Sequence, residues 1–430
     1  MGNPPFVGNS RLSDEQKRDR DQIFMSNGGE LDYVCCWYKK ASEYISESNI
    51  RCAFVSTNSI CQGQQVFPLW KPLFDSGIHF DFAYKTFVWD SEASIKAHVY
   101  CVIIGFSKDV QNNHCKLFDG ENMIIVKHIN AYLVPADNVF IYKRKQPLQN
   151  VPTVIKGFQP TDNGNLILSD EEKDNIILSE PEAIKWIRPF ITAREYLHRK
   201  NRWCIWLKGA SPSDINSISS IRKRVIACKE WREQQKKSGD AYKLRENPAL
   251  MRQNSKFIES DFIVMPRVSG ERRRYIPFGF VEKGSIPGDS IMLAIGAEKY
   301  HFGVLCSNVH MAWTRAVCGR LKGDYRYSSD IVYNNFPWPE LNDEQKKKIE
   351  ITAQGILDAR KLYPDSSYDD LYDPNFMPQE LRKAHQANDK AVMQAYGMPI
   401  KETDEAACVA WLMRLYQEKV SELEEKKSRK

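Results

Sequence analysis

Four residues near the start of the chain, Asn3, Pro4, Pro5 and Phe6, have the composition needed to hold an amino group on an aromatic ring. Each proline fixes its own φ angle and lacks an N–H, so the free polar groups of this turn are carbonyl oxygens and the Asn3 amide. Two acceptors directed at one NH₂ group can bind both hydrogens and leave the nitrogen lone pair facing an electrophile. Phe6 adds an aromatic face for stacking. Because Asn-Pro is also an ordinary turn opener, these four residues alone leave a simple surface turn as the alternative.

The composition argues against several other kinds of site. The 430 residues include 11 cysteines, but they form no Cys-x-x-Cys pair, so we expect reduced thiols of a cytoplasmic protein and no structural metal. No apolar run approaches the roughly 20 residues that span a bilayer, which predicts no membrane partner. A net charge of +6 is modest for this length, so any basic surface is expected to be local. Attack by an amine lone pair needs no histidine, and we interpret His79 and His98 as core or rim residues of strands.

The turn and the runs that follow it resemble a known family. In chain order these runs are Leu31-Asp32-Tyr33-Val34, Ala53-Phe54-Val55-Ser56-Thr57-Asn58-Ser59, Thr86-Phe87-Val88-Trp89, Met265-Pro266-Arg267-Val268, His310-Met311-Ala312-Trp313-Thr314-Arg315, Asp324-Tyr325-Arg326-Tyr327 and Asn334-Asn335-Phe336-Pro337-Trp338-Pro339. They occur in family order over nearly the whole length. The chain resembles the adenine-specific amino-methyltransferases of DNA, in particular those of bacterial type II restriction–modification enzymes that carry nuclease, methyltransferase and specificity domains in one chain.

The resemblance implies transfer of a methyl group from S-adenosyl-L-methionine to N6 of an adenine flipped out of duplex DNA. By this resemblance the catalytic residues are Asn3, Pro4, Pro5 and Phe6. Phe6 and Phe87 would sandwich the flipped base, with Trp89 as the second choice for the position of Phe87. Alternatively, Phe87 and Trp89 only cover the end of the sheet. In the family the cofactor loop precedes the turn. We therefore expect the cofactor-binding half to be absent from this chain, and the chain alone to be inactive.

A second set of candidates is basic. The run Glu271-Arg272-Arg273-Arg274-Tyr275 forms a basic loop with a neighbouring aromatic between β-prone runs. Such a loop is typical of phosphate and groove contacts, although a charge run by itself is more often a solvated face. The resemblance places a target-recognition domain over this region. The candidate DNA-binding residues are Arg267, Arg272, Arg273, Arg274, Arg315, Lys322 and Arg326. Arginine and lysine can read guanine, but one sequence does not separate base contacts from phosphate contacts.

The hydrophobic pattern of residues 1–145 predicts an α/β fold, and the resemblance implies that this fold is the C-terminal half of a Rossmann-like methyltransferase sheet. The predicted elements are a helix capped by Ser13, a helix from Leu31 to about Ser46, strands at 51–57, 78–84 and 98–106, and a loop at 86–90. The second strand should alternate apolar and polar residues. Polar residues at the carboxyl end of the first strand, Ser56 to Ser59, lie where α/β sheets place ligands.

The rest of the chain predicts two further domains. Residues 146–340 have the mixed pattern of an α+β target-recognition domain, entered through a proline-spotted crossover at 136–160, with a helix opening at Ser169, a basic helix near 217–236 and a strand at 262–265. Residues 341–430 should be helical, with helices near 343–362, 378–396 and 402–428 that form a small cap.

Two functions remain open on the sequence alone. The chain is either part of a site-specific DNA adenine-N6 methyltransferase, completed by upstream sequence or by a separate polypeptide carrying the cofactor-binding half, or a non-catalytic, sequence-specific DNA-binding fragment. Both imply double-stranded DNA as the partner and a bacterial cytoplasm as the location.

Overall fold

The structure is a computed structural model, and it describes residues 1–25, 28–89, 99–108, 114–252 and 256–428. The strands are β1 (Cys52–Thr57), β2 (His79–Trp89), β3 (Val99–Ser107), β4 (Cys115–Asp119), β5 (Asn122–Val126), β6 (Val154–Lys156), β7 (Ile167–Leu168), β8 (Ile187–Ile191), β9 (Trp203–Ile205), β10 (Phe262–Pro266), β11 (Val268–Ser269), β12 (Gly279–Val281), β13 (Ile286–Pro287), β14 (Ile291–Ile295), β15 (Arg320–Leu321) and β16 (Asp324–Arg326).

The helices are α1 (Asp14–Ile23), α2 (Cys35–Tyr44), α3 (Val66–Asp75), α4 (Asp170–Ser179), α5 (Ala193–His198), α6 (Pro212–Ser217), α7 (Ser219–Glu233), α8 (Asp240–Lys243), α9 (Lys299–Leu305), α10 (Asn308–Val317), α11 (Asp343–Lys361), α12 (Tyr368–Leu371), α13 (Gln379–Ala395) and α14 (Glu405–Ser428). Short 3-10 turns occur at Asn9–Arg11, Asn58–Cys61, Gly63–Gln65 and Pro181–Trp186, and a π-helical turn at Ser329–Tyr333. Among the described residues, no helix is both long and apolar enough to cross a membrane.

The chain folds into two compact units. The first contains residues 1–150, 308–340 and 393–430, and the second contains residues 151–307 and 341–392. The predicted helical tail is therefore divided between the units, with α14 in the first and α11 and α12 in the second. Domain boundaries at 145/146 and 340/341 stay a prediction.

The first unit is built on a five-stranded sheet of order β1-β3-β2-β4-β5. Strand β3 is antiparallel to both β1 and β2, so those two strands run in the same direction. Helices α2 and α3 cover one face through aromatic packing: the ring of Tyr38 lies 5.2 Å from Phe54, 5.0 Å from Trp70 and 5.5 Å from Phe106. The Tyr38 hydroxyl is satisfied by the Ser56 hydroxyl at 2.7 Å, so a buried polar group costs little here.

Strand β2 departs from the sequence prediction in two ways. Its pairing with β3 shifts register between Phe80 and Phe82 and again between Tyr84 and Phe87. The first shift places Asp81 at an irregularity where its carboxylate accepts a hydrogen bond from the Ser107 hydroxyl at 2.9 Å, so the simple alternation predicted for this strand is wrong. The strand also continues to Trp89, so the predicted loop at 86–89 is strand; Asp90 and His98 lie outside the described residues.

The second unit contains two four-stranded sheets, of order β12-β10-β14-β6 and β13-β8-β9-β7. Strand β10, which the apolar run Phe262–Pro266 forms, is buried along its whole length and is antiparallel to β12 and β14. The crossover predicted at 136–160 contributes β6 to the first of these sheets. The second sheet packs with α4 and α7 around a core that includes Phe158, Phe190 and Ile221.

Most predicted helix starts are confirmed by their caps. Ser13, Ser169 and Asn342 each accept a hydrogen bond from the backbone three residues on, and the side chain at that third position bonds back. The three long C-terminal helices α11, α13 and α14 are also confirmed. Helix α2 begins at Cys35 rather than Leu31, because Leu31 to Val34 form a turn whose polar side chain, Asp32, is bound elsewhere.

Candidate active site and DNA-contacting residues

The Asn3–Phe6 turn begins where the chain leaves the side of β1. Gly2 pairs with this strand in parallel: its N–H donates to the Ala53 carbonyl at 3.0 Å, and its carbonyl accepts from the Val55 N–H at 3.2 Å. The asparagine is exposed, the first proline is buried and the phenylalanine is half-buried. Because Gly2 is aligned with the middle of β1, the turn starts near the carboxyl end of that strand.

Two acceptors of the turn receive no hydrogen bond from the described part of the chain. The Pro5 carbonyl accepts a hydrogen bond from the Val7 N–H at 3.2 Å. In contrast, the Asn3 side-chain oxygen and the Pro4 carbonyl accept none from the residues that the structure describes. These are the two acceptors that the sequence predicts for an amino group.

The Asp32 carboxylate fixes the segment that follows the Asn3–Phe6 turn. One oxygen, Oδ1, accepts from the Asn9 N–H at 2.7 Å, and Oδ2 accepts from the Ser59 hydroxyl at 2.7 Å and from Gln65 Nε2 at 2.8 Å. The Asp32 N–H donates to Gln65 Oε1 at 3.0 Å. A single carboxylate thus ties the segment after the turn to the end of β1 and to the start of α3.

Phe87 lies at the same end of the sheet as the turn. Thr57 on β1 and Phe87 on β2 are both opposite Cys101 on the intervening strand β3. Directly opposite residues of neighbouring strands point to the same face, so these three side chains share one face, and two strand spacings separate Thr57 from Phe87 by about 10 Å. The register shift between Tyr84 and Phe87 produces this alignment, since an unbroken register would place Thr86 opposite Cys101.

Phe87 and Trp89 are both still candidates for stacking on a base. Phe87 is half-buried, whereas Trp89 is 46% exposed, and their ring centroids are 6.3 Å apart. Neighbouring Asn58 is buried, and its amide donates to the Thr86 hydroxyl at 3.4 Å. The structure thus places aromatic and polar side chains together at one end of the sheet, where the sequence predicts the site.

Neither of two buried thiols, Cys101 and Cys61, is suited to nucleophilic attack. Burial raises the pKa of the Cys101 thiol to about 11 and raises the pKa of the Cys61 thiol still further, so neither is a thiolate near neutral pH. Within the described part of the chain, no cluster of histidine, cysteine, aspartate and glutamate side chains has the geometry of a metal site. What the turn offers is hydrogen-bond acceptors and an aromatic ring, which position an amine rather than attack a substrate.

Four of the predicted DNA contacts lie in the second unit, and most have an internal partner. Arg267 donates to the Asp289 carbonyl at 3.0 Å, Arg273 forms an ion pair with Asp369, and Arg274 Nε donates to the Tyr275 hydroxyl at 3.1 Å. Arg272 is exposed and has no hydrogen-bond or ion-pair partner among the described residues. Arg272 is therefore the member of this set most available to a phosphate.

The other three predicted DNA contacts lie in the first unit. Arg315, on α10, pairs with Glu405 at 3.0 Å. Lys322 and Arg326 are exposed on the β15–β16 hairpin, and Lys322 has a left-handed φ of 57° in its turn. A hairpin that carries two exposed cations can reach into a groove or along a backbone.

Several site residues were not found from the sequence. Asp32 belongs to a run that resembles the family, but nothing in its spacing predicts three acceptor bonds to distant segments. Lys85 and Arg320, which line one pocket of the first unit, are single cations without a charged neighbour in sequence. Gly63 and Gly319 are also close to each other: a Cβ added to Gly63, whose φ is +63°, would lie 2.9 Å from the Gly319 Cα. The local signal in this set is Gly63 itself, a glycine among polar residues, because glycine readily adopts a positive φ.

Comparison with known proteins identifies each part of the chain. Residues 1–119 match the MmeI DNA-methyltransferase domain, residues 135–340 the MmeI target recognition domain, and residues 341–424 the MmeI C-terminal domain. The chain is 38% identical over 420 residues to DNA methyltransferase A of Bacillus subtilis (strain 168), covering 97% of this chain and 47% of that protein. The chain thus spans about half the length of this curated relative.

A solved structure gives the same result. The type IIL restriction–modification enzyme MmeI, determined in complex with DNA, superposes with a TM-score of 0.89 at 41% identity, covering 98% of this chain and 57% of that one. The predicted fold class is confirmed: part of a methyltransferase α/β sheet, then a mixed recognition domain, then a helical tail. Since the three domain matches together account for nearly the whole chain, it belongs to the MmeI family, with parts that match the DNA-methyltransferase, target recognition and C-terminal domains of that family.

Proposed function

We propose that this chain is the catalytic-turn and target-recognition part of a DNA methyltransferase that modifies N6 of adenine. The observation that carries this proposal is the pair of acceptors at the turn, the Asn3 amide oxygen and the Pro4 carbonyl, which lie at the end of β1 and accept no bond from the described residues. Two such acceptors match the two hydrogens of an exocyclic amine. Family membership supplies the substrate class, double-stranded DNA.

In this proposal each residue of the turn has a role. Asn3 and the Pro4 carbonyl bind the two hydrogens of the amine and leave its lone pair facing the electrophile. Pro5 keeps the backbone stiff. Phe6 and Phe87 contact the two faces of the flipped base, because Phe87 shares an end and a face of the sheet with Thr57. Lone-pair attack needs no general base in the bond-forming step, which agrees with the absence of a thiolate at Cys61 or Cys101.

S-adenosyl-L-methionine would supply the methyl group. The turn fits the methyl acceptor rather than the donor, and we assign no residue of this chain to the donor. The cofactor-binding half would come from upstream sequence or from a separate polypeptide. On this view the bacterial cytoplasm, where the cell's DNA lies, is the place of action.

The test is to complete the enzyme. The part of DNA methyltransferase A that this chain does not cover is fused upstream of Gly2, the fusion is incubated with mixed-sequence duplex DNA and S-adenosyl-L-methionine, and the hydrolysed nucleosides are measured by mass spectrometry. We expect N6-methyladenine. Asn3→Ala should lower its formation by about 10²- to 10³-fold, the typical effect of losing one positioned hydrogen bond in the transition state. Asn49→Ala, at an exposed asparagine of the same unit, serves as the matched control.

Other outcomes would overturn the proposal. Methylcytosine as the product would contradict adenine specificity. Full activity of Asn3→Ala would remove the turn from the chemistry. Binding of DNA by a folded fusion that forms no methylated base would favour the alternative, a sequence-specific DNA-binding module.

A further inference from the structure

A pocket of about 400 Å³ opens beside the proposed base site in the first unit. Its walls include Gln62, which follows the end of β1, Lys85 and Thr86 of β2, and Arg315 and Arg320 around the end of α10. Pockets of this size hold small ligands or parts of larger ones. No role in the proposed function uses Gln62, Lys85 or Arg320.

The pocket is next to the residue proposed to stack on the flipped base, because Thr86 directly precedes Phe87. Its two walls are fixed to each other by the Gly63–Gly319 contact, in which an added Cβ on Gly63 would lie 2.9 Å from the Gly319 Cα. Gln62 and Arg320 are the chain neighbours of these glycines on opposite sides of the contact. A backbone-to-backbone contact of this kind allows little change in the width of the pocket.

Two buried polar atoms of the pocket wall make no hydrogen bond to the described residues. Arg320 stacks over the Tyr325 ring, with its guanidinium carbon 3.8 Å from the centroid, and donates to the carbonyls of Gly323 and Arg315 at 3.3 Å each. Among the residues that the structure describes, its Nε–H finds no acceptor and Gln62 Oε1 finds no donor. A buried polar atom that makes no hydrogen bond costs roughly 1–3 kcal/mol, so the Arg320 Nε–H points to a ligand that brings an acceptor to this wall.

The charges around the pocket favour an anion. Lys85 pairs with Asp119 at 3.0 Å and Arg315 pairs with Glu405 at 3.0 Å, but both carboxylate side chains are more than half exposed. Such surface pairs contribute little and can be exchanged for another anion. Arg320, in contrast, has no carboxylate partner among the described residues. The pocket thus has three cations, Lys85, Arg315 and Arg320, and two weakly bound carboxylates, those of Asp119 and Glu405. Rotation of the Gln62 amide by 180° would add N–H donors.

We propose that this pocket binds a phosphodiester group of the nucleotide whose base stacks on Phe87, with Arg320 as the main contact and Gln62 and Lys85 as supporting ones. The proposal rests on the proposed function for the identity of the base, but the phosphate contact is made by residues outside the Asn3–Phe6 turn. Charge-assisted hydrogen bonds from arginine to phosphate are among the stronger polar contacts in proteins.

The experiment compares two small probes on the full chain, 2′-deoxyadenosine and 2′-deoxyadenosine 3′,5′-bisphosphate, titrated by calorimetry or NMR. The wild-type chain should bind the bisphosphate at least about 10-fold more tightly than the nucleoside, since each added contact is charge-assisted. Arg320→Gln should remove most of this preference and leave nucleoside affinity unchanged. Lys85→Gln should reduce the preference about 2- to 5-fold. Lys116→Gln, at an exposed cation of β4 outside the pocket, is the matched control.

The outcomes separate this proposal from the proposed function. Retention of the full bisphosphate preference by folded Arg320→Gln and Lys85→Gln, no measurable bisphosphate binding, or failure of mixed-sequence duplex DNA to displace the bisphosphate would each overturn the phosphate site. Loss of nucleoside affinity in Phe87→Ala supports the base site, and unchanged nucleoside affinity in that variant contradicts the base site without affecting the Arg320 result.

Discussion

The Asp32 carboxylate accepts the backbone N–H of Asn9 at 2.7 Å, across 23 residues of sequence. Its second oxygen binds the Ser59 hydroxyl at 2.7 Å, just beyond the end of β1. The neighbouring Tyr33 N–H donates to the Val7 carbonyl at 2.9 Å. These bonds hold the chain immediately after the Asn3–Phe6 turn against the sheet, so Asp32 acts on the turn as a positioning residue.

Removing this carboxylate should loosen the turn without unfolding the unit. In Asp32→Ala, the amides of residues 6–11 should exchange with solvent roughly 10-fold faster, because the lost bonds are to a charged group and such bonds contribute about 1.5–3 kcal/mol each. Hydrogen exchange followed by mass spectrometry measures this. Asp32→Asn keeps one acceptor for the Asn9 N–H and should recover part of the protection.

The control is Asp75→Ala, which removes an exposed carboxylate paired with Lys71 one helical turn away. Its exchange at residues 6–11 should match wild type. If Asp32→Ala also leaves this segment unchanged, then the prolines alone hold the turn. In an active fusion, Asp32→Ala should lower kcat more than it raises the KM for DNA, and Asp32→Asn should restore part of kcat.

The sequence predicts the helices and the position of the turn because these depend on local signals. Ser13, Ser169 and Asn342 cap helices through residues three positions away, and the apolar run of β10 reads as a buried strand. The alternation of strand β2 does not predict the burial of Asp81, because a distant residue, Ser107, stabilises that carboxylate. Local patterns do not encode such partners.

In the candidate site too, local sequence predicts some features and not others. The Asn3 and Pro4 acceptors follow from residue type, whereas the alignment of Phe87 with Thr57 depends on a register shift set by pairing with β3. Asp32 and Gly63 act through residues 23 and 256 positions away, which periodicity does not connect. The division of the C-terminal helices between two compact units is likewise a property of tertiary contacts.

Binding to duplex DNA should weaken steeply with salt, because phosphate contacts release counterions. Replacing Arg272, Arg273 and Arg274 together by alanine should flatten the plot of log affinity against log salt. Arg272→Ala alone should lower the slope by about 0.9, the value for one phosphate contact, since Arg272 has no partner in the described structure. Arg273→Ala should have a smaller effect because Arg273 is paired with Asp369.

Lys361→Ala is the matched control for this series, at an exposed cation of α11 in the same unit. Fluorescence anisotropy with a labelled mixed-sequence duplex between 50 and 300 mM salt, a range of about sixfold, gives the slopes. Equal slopes for the triple variant and this control would exclude the basic loop as a DNA contact.

Arg232 should be the most sensitive arginine for stability in the second unit. It is fully buried, and its five N–H groups donate to five backbone carbonyls, those of Pro160, Thr161, Leu244, Asn247 and Leu250, at 2.9–3.1 Å. Lysine has three donors, so Arg232→Lys leaves at least two carbonyls without a bond and should lower the free energy of unfolding by about 2–4 kcal/mol. Urea unfolding measures this change.

The comparison for this variant is Arg222→Lys, on the exposed side of the same helix. Its free energy of unfolding should stay within about 0.5 kcal/mol of wild type. Similar free energies of unfolding for both variants would mean that water or a shifted backbone donates to the five carbonyls in place of the Arg232 guanidinium.

Acidification from pH 7.5 to 5.5 should destabilise the chain through its buried histidines. Burial lowers the pKa of His310 to about 3 and that of His301 to about 4, both below the unfolded value of about 6.5. The folded state therefore binds fewer protons than the unfolded state in this window. Stability is complete above about pH 6.5 and falls as pH decreases below it, by about 1 kcal/mol per histidine at pH 5.5. Carboxylates contribute little here, because they titrate near pH 4 when unfolded.

Substitution of one histidine isolates its share of this loss. His310 lies on α10, with Nε2 2.8 Å from the Tyr327 hydroxyl. His310→Gln cannot be protonated, so the variant should lose about 1 kcal/mol less than wild type between pH 7.5 and 5.5, whatever its stability at pH 7.5. His128→Gln, at an exposed histidine of the same unit, should keep the wild-type loss. Urea titrations at the two pH values give each difference within one protein, which removes any constant packing cost of the substitution. A wild-type loss in His310→Gln would show that this imidazole titrates normally in the folded state and that its site is open to water.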